Sequence, residues 1–168
     1  EELQKFRDGS DPYGYPNTDW NKEVLLPRAW QQMHSLTASG GSDKVKYFAG
    51  FGYVKQDALY GDTRTNKSTS GFNRYNARVN IDANIVDKYL NLSADMAYRQ
   101  EDRNSIAGST SDVFNNMHRN PQTDPGRFPD GNLGKVSLGV NPIGLATEGG
   151  WVKDRKSVLN TRFMLDFN

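Results

Sequence analysis

The stretch from Tyr75 to Tyr98, YNARVNIDANIVDKYLNLSADMAY, alternates apolar and polar residues in two halves around a short turn. An alternation with period two predicts β-strands, because successive side chains of a strand point to opposite faces. Each half therefore predicts a strand with one apolar and one polar face. The apolar face of such a strand packs either on a protein core or on lipid, and the rest of the chain has to distinguish these two cases.

The same alternation recurs elsewhere and predicts five strands, at 30–39, 45–54, 74–83, 89–99 and 157–168. The connections between these strands are unequal in length. Short turns join the first to the second strand and the third to the fourth, whereas about twenty and about sixty residues form the other two connections. Short turns at one end and long loops at the other are typical of outer-membrane β-barrels.

Aromatic residues lie at the long-loop end of four predicted strands, on the apolar face. These residues are Trp30, Tyr53, Tyr75 and Tyr98. The apolar segment of each strand spans eight residues, which at a tilt of about 40° rises roughly 20 Å, close to the ~25 Å apolar band of a membrane barrel. Aromatics at one height predict a lipid-facing girdle, for which the core of a soluble β-sandwich gives no reason.

The opposite faces of the strands are polar and predict the lining of a barrel lumen. The predicted lumen-lining residues are Asn76, Arg78, Asn80, Asp82, Asn91, Asp95, Asn160, Arg162 and Asp166. The predicted fold class is thus all-β, an antiparallel transmembrane barrel portion with long extracellular loops. Residues 1–29 form a loop with a short helix, and residues 30–99 form barrel strands with a long loop at 54–74. Residues 100–157 form the longest loop, and residues 158–168 begin the next strand.

Composition excludes several other classes of protein. The formal net charge is +1, which gives no indication of a nucleic-acid partner, and the absence of cysteine excludes disulfides and thiol chemistry. The mean hydropathy is −0.80, and no apolar run approaches the ~20 residues of a membrane-spanning helix. The chain opens with neither a start methionine nor a signal peptide and ends in mid-pattern, so we expect it to be part of a longer protein.

Catalytic and metal-binding signals are weak. No nucleophile lies near a candidate base, so we do not expect an enzyme, and we expect no cofactor. Loop Ca²⁺ is an alternative at Asp8, Asp11 and Asp19 or at Asp124 and Asp130. Neither set has the regular spacing of a calcium loop, which favours turn chemistry for these aspartates.

The loops carry the stronger binding signals, because arginine and aromatic side chains dominate interface hot spots. The predicted contacts to substrate or to a partner protein are Trp20, Arg119, Arg127, Phe128 and Trp151. The sequence NPIGLATEGG, dense in turn-forming residues, is predicted as loop, whereas SDVFNNMHR predicts a short helix capped by Ser111 or Asp112.

The segments YPNTDWNKEVL, HSLTASGGSDKVKYFAGFGYVKQDAL and FNRYNARVNIDANIVDKYLNLSADMAY together resemble the SusC/RagA family of TonB-dependent transporters. The resemblance runs from about Glu2 to the end of the chain. It implies five strands of a plugged barrel of about 22 strands in the outer membrane of a Gram-negative, Bacteroides-type bacterium.

The same resemblance implies partners and cargo. It implies import of oligosaccharides or peptides, a SusD-like surface lipoprotein as a lid, and energy from the TonB complex through a part of the chain not present here. A dimer of the transporter–lipoprotein complex is a further expectation, as is contact with the lipid bilayer. The alternatives are a soluble β-sandwich that binds carbohydrate and a passive porin-type channel.

Overall fold

A computed structural model of the chain describes residues 1–68, 70–86 and 89–167. Its main element is one five-stranded antiparallel sheet, in which the strands lie side by side in chain order. The strands are β1 (Gln31–Gly41), β2 (Val45–Asp57), β3 (Gly71–Val86), β4 (Leu90–Ile106) and β5 (Trp151–Phe167). This architecture confirms the predicted fold class and is consistent with a portion of a barrel wall.

The strands are longer than the alternation of apolar residues predicts. β4 continues to Ile106 and β5 begins at Trp151, so the connection between them is residues 107–150 rather than 100–157. β2 ends at Asp57 and β3 begins at Gly71, so the loop between these two strands is residues 58–70 rather than 54–74. Apart from Ile106, Trp151 and Val152, the extra residues of β4 and β5 carry polar side chains on both faces, so the pairing of the backbone continues after the apolar pattern has ended.

The register of β1 and β2 is defined from Gln31 opposite Gln56 to Gly41 opposite Lys46. Their turn is held by Ser42, whose N–H donates to the Val45 carbonyl at 2.7 Å. The Tyr47 ring lies across its partner Gly40, where an added Cβ would stand 2.7 Å from the tyrosine oxygen. Glycine therefore makes room for an aromatic side chain that covers the neighbouring backbone.

In the described part of the chain, four short helices lie outside the sheet. They are α1 (Glu2–Asp8), α2 (Trp20–Val24), α3 (Thr110–Arg119) and α4 (Pro142–Thr147). The sequence predicted one short helix within residues 1–29, where α1 and α2 lie, and a helix at α3, although the cap of α3 is Ser109 rather than Ser111 or Asp112. The prediction of loop over α4 is wrong, because Asn141 caps this helix and a proline occupies its first turn. Within the described ranges, no helix has the length and apolar character needed to cross a membrane.

The chain divides into two compact units. The first, called the loop unit, comprises Glu1–Ala29, Asp57–Gly71 and Asn104–Lys153. The second, called the sheet unit, comprises Trp30–Gln56, Phe72–Arg103 and Asp154–Asn168. The hydrophobic core of the described residues lies in the loop unit and consists of Trp20, Val24, Tyr60, Ile106, Val113, Met117, Ile143 and Ala146. The segments predicted as separate loops therefore share one core.

Hydrogen bonds between distant segments hold the loop unit together. The Thr18 hydroxyl donates to the Asp124 carbonyl at 2.6 Å and accepts from the Gly126 N–H at 3.0 Å. The Leu26 N–H donates to the Leu59 carbonyl at 2.7 Å, which ties the first segment to the second. Since buried polar groups must find partners, these bonds determine how the three segments fit together.

Candidate functional site

Trp20 belongs to the core of the loop unit and not to its binding surface. Its side chain is 5% exposed, and the indole Nε1–H donates to the Pro121 carbonyl at 3.1 Å. The prediction that Trp20 contacts substrate or a partner is therefore wrong. A tryptophan satisfies both demands of a buried site here, since its ring fills space and its one polar atom has a partner.

Arg127 is a clamp inside the loop unit, with a side chain only 9% exposed. Its Nη1 donates to the Gly131 carbonyl at 2.6 Å, and its Nη2 lies 3.5 Å from the Glu148 carboxylate. Its burial, together with these two bonds, leaves little of the guanidinium accessible to a ligand. The prediction that Arg127 is a contact residue is thus wrong, because the guanidinium holds the turn around residues 127–133 in place.

The other predicted loop contacts are more accessible. Phe128 stacks on Tyr13 with the ring centroids 5.0 Å apart and the planes 13° from parallel, and Tyr13 is 58% exposed. Arg119 is exposed at the end of α3. Trp151 is 60% exposed, and the Lys153 ammonium lies 4.7 Å from its ring centroid. The aromatic pair of Tyr13 and Phe128 offers a flat apolar surface of the kind that binds a ring or an apolar side chain.

The loop aspartates that were considered for Ca²⁺ are engaged in local bonds. Asp19 caps α2, and the Lys22 N–H that it accepts lowers the pKa of its carboxyl. Asp130 accepts the Asn132 N–H at 2.9 Å, and this bond lowers its pKa as well. Asp124 accepts both the N–H and the hydroxyl of Ser137 at 2.7 Å. Among the described residues, no three acidic or histidine side chains gather as a metal site.

In the sheet unit, the apolar face of the strands is exposed. On β1 and β2, Leu36 and Phe51 are 72% and 49% exposed, and on β5 Phe163 is 71% exposed. Val79 and Ile81 of β3 are exposed on the same face as Tyr75. A contiguous apolar surface of this kind is rare on soluble monomers and marks contact with lipid or another protein.

Tyrosines end this apolar face at one level. The rings of Tyr53 and Tyr75 lie 5.1 Å apart on neighbouring strands, and the Tyr98 hydroxyl lies 3.5 Å from Ser157 Oγ on β5. The register places His34 opposite Tyr53, with their rings 6.3 Å apart. Trp30 precedes Gln31, the first paired residue, so its predicted place at the height of Tyr53 is wrong. The prediction placed Trp30 where the pairing of β1 with β2 in fact places His34, opposite Tyr53.

Beyond the tyrosines the same face becomes polar. Tyr98 Oη donates to Gln100 at 2.8 Å, and the Gln100 amide donates to Asp102 at 2.9 Å. Asp102 in turn accepts from Arg155 Nε of β5 at 2.6 Å. The face therefore changes from apolar side chains through tyrosine to a charged pair, which is the sequence of environments from hydrocarbon through interface to water.

The opposite face of the sheet unit brings the predicted lumen-lining residues together. Asp95 is the centre of a network across three strands, because it accepts hydrogen bonds from Asn80 of β3 and from Arg162 Nε of β5, the latter at 2.9 Å. Arg78 Nε donates to Asn80 at 2.9 Å, and the Ser93 hydroxyl donates to Asp82 at 2.7 Å. The remaining members line shallow depressions on this face and are Asn76, Asn91, Asn160 and Asp166.

Two features of these surfaces were missed by the sequence reasoning. The Tyr13–Phe128 stack joins residues 115 positions apart in sequence, and no local pattern indicates such a pair. Gln100, Asp102 and Arg155 form the polar margin above the tyrosines, whereas the sequence prediction assigned residues 100–157 to a loop. Residues 99–105 are polar on both faces, so no alternation of hydropathy marked this part of the strand.

An antiparallel sheet with an exposed apolar face, a tyrosine margin and a hydrogen-bonded polar face has the features of the wall of a transmembrane barrel. No protein-family model matches the chain. Over 79 residues, 47% of its length, the chain is 32% identical to TonB-dependent receptor P26 of Formosa agariphila. The match spans 7% of that receptor, and it supports the TonB-dependent receptors as the general class of protein.

Proposed function

We propose that this chain is a wall segment, with its outer loops, of a TonB-dependent outer-membrane importer. The observation that carries the proposal is the change of polarity on one face of the sheet unit, from exposed Val79 and Phe51 through Tyr75 to Asp102 and Arg155. Lipid is the environment that matches such a face, and the 32% identity to a TonB-dependent receptor points in the same direction.

The polar face has the role of lumen lining in this proposal. Its network around Asp95 joins three strands, so it stiffens the wall while its outer donors and acceptors remain available to a plug and to cargo. Oligosaccharides or peptides, both rich in hydrogen-bonding groups, are the proposed cargo. The proposal assigns no catalytic reaction to this segment.

We assign the outer surface of the loop unit to contacts with the cargo and with a SusD-like surface lipoprotein. The shared core supports this assignment, because segments packed around Val113 and Ile143 present a shaped surface instead of separate flexible loops. The exposed Arg119 and Trp151, together with the Tyr13–Phe128 stack, are the side chains available for such contacts.

Energy-dependent uptake tests the importer. Deletion of the gene for the full-length protein should abolish growth on its cargo, and disruption of TonB should have the same effect while the protein stays in the detergent-extracted outer membrane. Uptake that persists without TonB would identify a passive channel, and recovery of the full-length protein without detergent would favour the soluble sandwich.

The proposed contact with the lipoprotein is best tested with point variants of exposed side chains. Shortening the chain between residues 120 and 134 would remove the carbonyls of Pro121 and Asp124, the partners of Trp20 and Thr18, and would damage the core. Trp151→Ala and Tyr13→Ala change exposed side chains instead and should reduce co-purification of the lipoprotein, substrate-dependent growth, or both. Lys67→Ala, an exposed change in the same unit, is the control. Unchanged values for both aromatic variants would contradict the assignment.

A further inference from the structure

One depression on the polar face of the sheet unit is lined by hydrogen-bond donors without any acidic side chain. Its polar lining includes Asn76 and Arg78 from β3, Tyr98 and Arg99 from β4, and Asn160 from β5. Ala97 and Val158 form its floor on the same face. Two guanidinium groups and two amides converging on one place are the donor set that proteins use for carboxylate, sulfate or phosphate groups.

The two arginines have unused hydrogen-bonding capacity. Arg78 makes one hydrogen bond, from Nε to the neutral Asn80 amide at 2.9 Å, and it forms no ion pair among the residues that the structure describes. Arg99 forms an ion pair with Glu101, in which its Nε lies 3.6 Å from the carboxylate, beyond hydrogen-bond distance, and its side chain is 50% exposed. Each guanidinium carries five N–H donors, so both retain a pair for a bidentate partner.

Arg162 provides a contrast within the same face. Its Nε donates to Asp95 at 2.9 Å, so its charge is balanced by a carboxylate inside the sheet unit. The charge of Arg78 has no comparable balance, and the charge of Arg99 is balanced only by its longer contact with Glu101. The depression beside them is therefore a place of positive potential, and a low-dielectric barrel wall would focus that potential on the lumen.

Two neighbouring residues on this face are also basic, although Asp95 lines the adjoining depression together with Arg78 and Asn160. Arg74, two positions before Asn76, has a buried Nε without a hydrogen-bond partner in the described part of the chain. Lys156 follows on β5 with an exposed side chain. At the turn end of the same face, by contrast, Asp82 and Asp166 line another depression together with lysines.

We propose that the depression formed by Asn76, Arg78, Arg99 and Asn160 binds an oxyanion substituent of the imported molecule. This inference rests on the proposed function and narrows its cargo to molecules with carboxylate or sulfate groups. The guanidinium planes would pair with two oxygens of the group, and the Asn76 and Asn160 amides would donate to the remaining lone pairs. A neutral hydroxyl would bind these donors more weakly, because it has no negative charge to pair with the guanidinium groups.

The competing occupant is an acidic side chain from another part of the same protein. In that case the arginines would stabilise the ligand-free transporter, and their loss would lower its unfolding temperature. A cargo site makes the opposite prediction, since neutralising one of several like charges does not destabilise an unoccupied pocket.

The test uses the full-length transporter in detergent and two matched pairs of probes. Sulfated maltohexaose is compared with maltohexaose, and hexagalacturonate with its carboxyl-reduced form, so the two arms distinguish sulfate from carboxylate. We expect at least one charged probe to bind about tenfold or more tightly than its neutral counterpart, as charged hydrogen bonds allow. The difference should shrink at high salt.

Arg78→Gln and Arg99→Gln should each weaken the charged probe about tenfold and leave the neutral probe unchanged. Arg155→Gln is the matched control, since it removes the same charge from the opposite face of the sheet. The proposal is overturned if neither charged probe exceeds its neutral partner, or if Arg78→Gln and Arg99→Gln behave like Arg155→Gln. It is equally overturned if these variants lower the ligand-free unfolding temperature without changing affinity. An importer of neutral cargo would fail this test and still show TonB-dependent uptake.

Discussion

Placing arginine at Val79 tests most directly which face of the sheet meets lipid. Val79 lies four residues from Tyr75 along β3, about 13 Å at ~3.3 Å per residue. At a strand tilt of about 40° this distance is a rise of roughly 10 Å, near the middle of the ~25 Å apolar band. Arg at the midplane of a lipid face costs about 2–4 kcal/mol, so Val79→Arg should shift the folding equilibrium by about 30- to 900-fold.

Asn80→Arg is the matched control, one residue away on the opposite face. Asn80 already contacts Asp95, so an arginine there gains a carboxylate neighbour in a polar environment. Asn73→Arg lies on the same face as Val79 but beyond Tyr75, where the cost falls to about 0–1 kcal/mol. The three variants therefore separate the effect of the face from the effect of depth.

The assay is the folded fraction of the full-length transporter in outer-membrane extracts, measured by its altered mobility in unheated gels. We expect wild-type levels for Asn73→Arg, a mild loss for Asn80→Arg and a severe loss for Val79→Arg. Equal folded fractions for Val79→Arg and Asn80→Arg would refute the assignment of lipid to the apolar face.

Three further predictions concern the loop unit. Ile143→Ala should destabilise it by about 2–5 kcal/mol and expose residues 107–150 to limited proteolysis, whereas Val140→Ala, at 53% exposure, should not. Asn141→Ala should cost about 1–3 kcal/mol, visible as faster hydrogen exchange in α4, because it removes the helix cap and orphans two carbonyls that the amide satisfies. Arg64 lowers the pKa of Asp62 by donating a hydrogen bond to its carboxylate. The ionised carboxylate therefore stabilises the folded turn above the unfolded pKa of about 4, and this contribution is lost as the pH falls through the lower pKa of the folded state. Protection of the turn from hydrogen exchange should fall over the same pH range in the wild type and not in Asp62→Asn.

The faces of the strands could be predicted from the sequence because they depend on a local rule. Alternation with period two assigns Arg78, Asn80 and Asp95 to one face whatever the strands pair with, and the structure joins these side chains in one network. Strand ends were less predictable. Hydropathy stops alternating near Tyr98, but the backbone of β4 goes on pairing to Ile106, and pairing is indifferent to the polarity of the side chains.

The sequence by itself determined the number, order and polarity of the strands, since each of these follows from residues close together in the chain. Only the tertiary structure decided what the loops do. Trp20 reaches its partner Pro121 across 101 positions, and Thr18 reaches Asp124 across 106. In a turn-rich segment, the sequence alone does not distinguish an exposed tryptophan that binds a ligand from a buried tryptophan that completes a core. They differ in the contacts that distant segments supply, and those contacts exist only once the three segments of the loop unit have packed together.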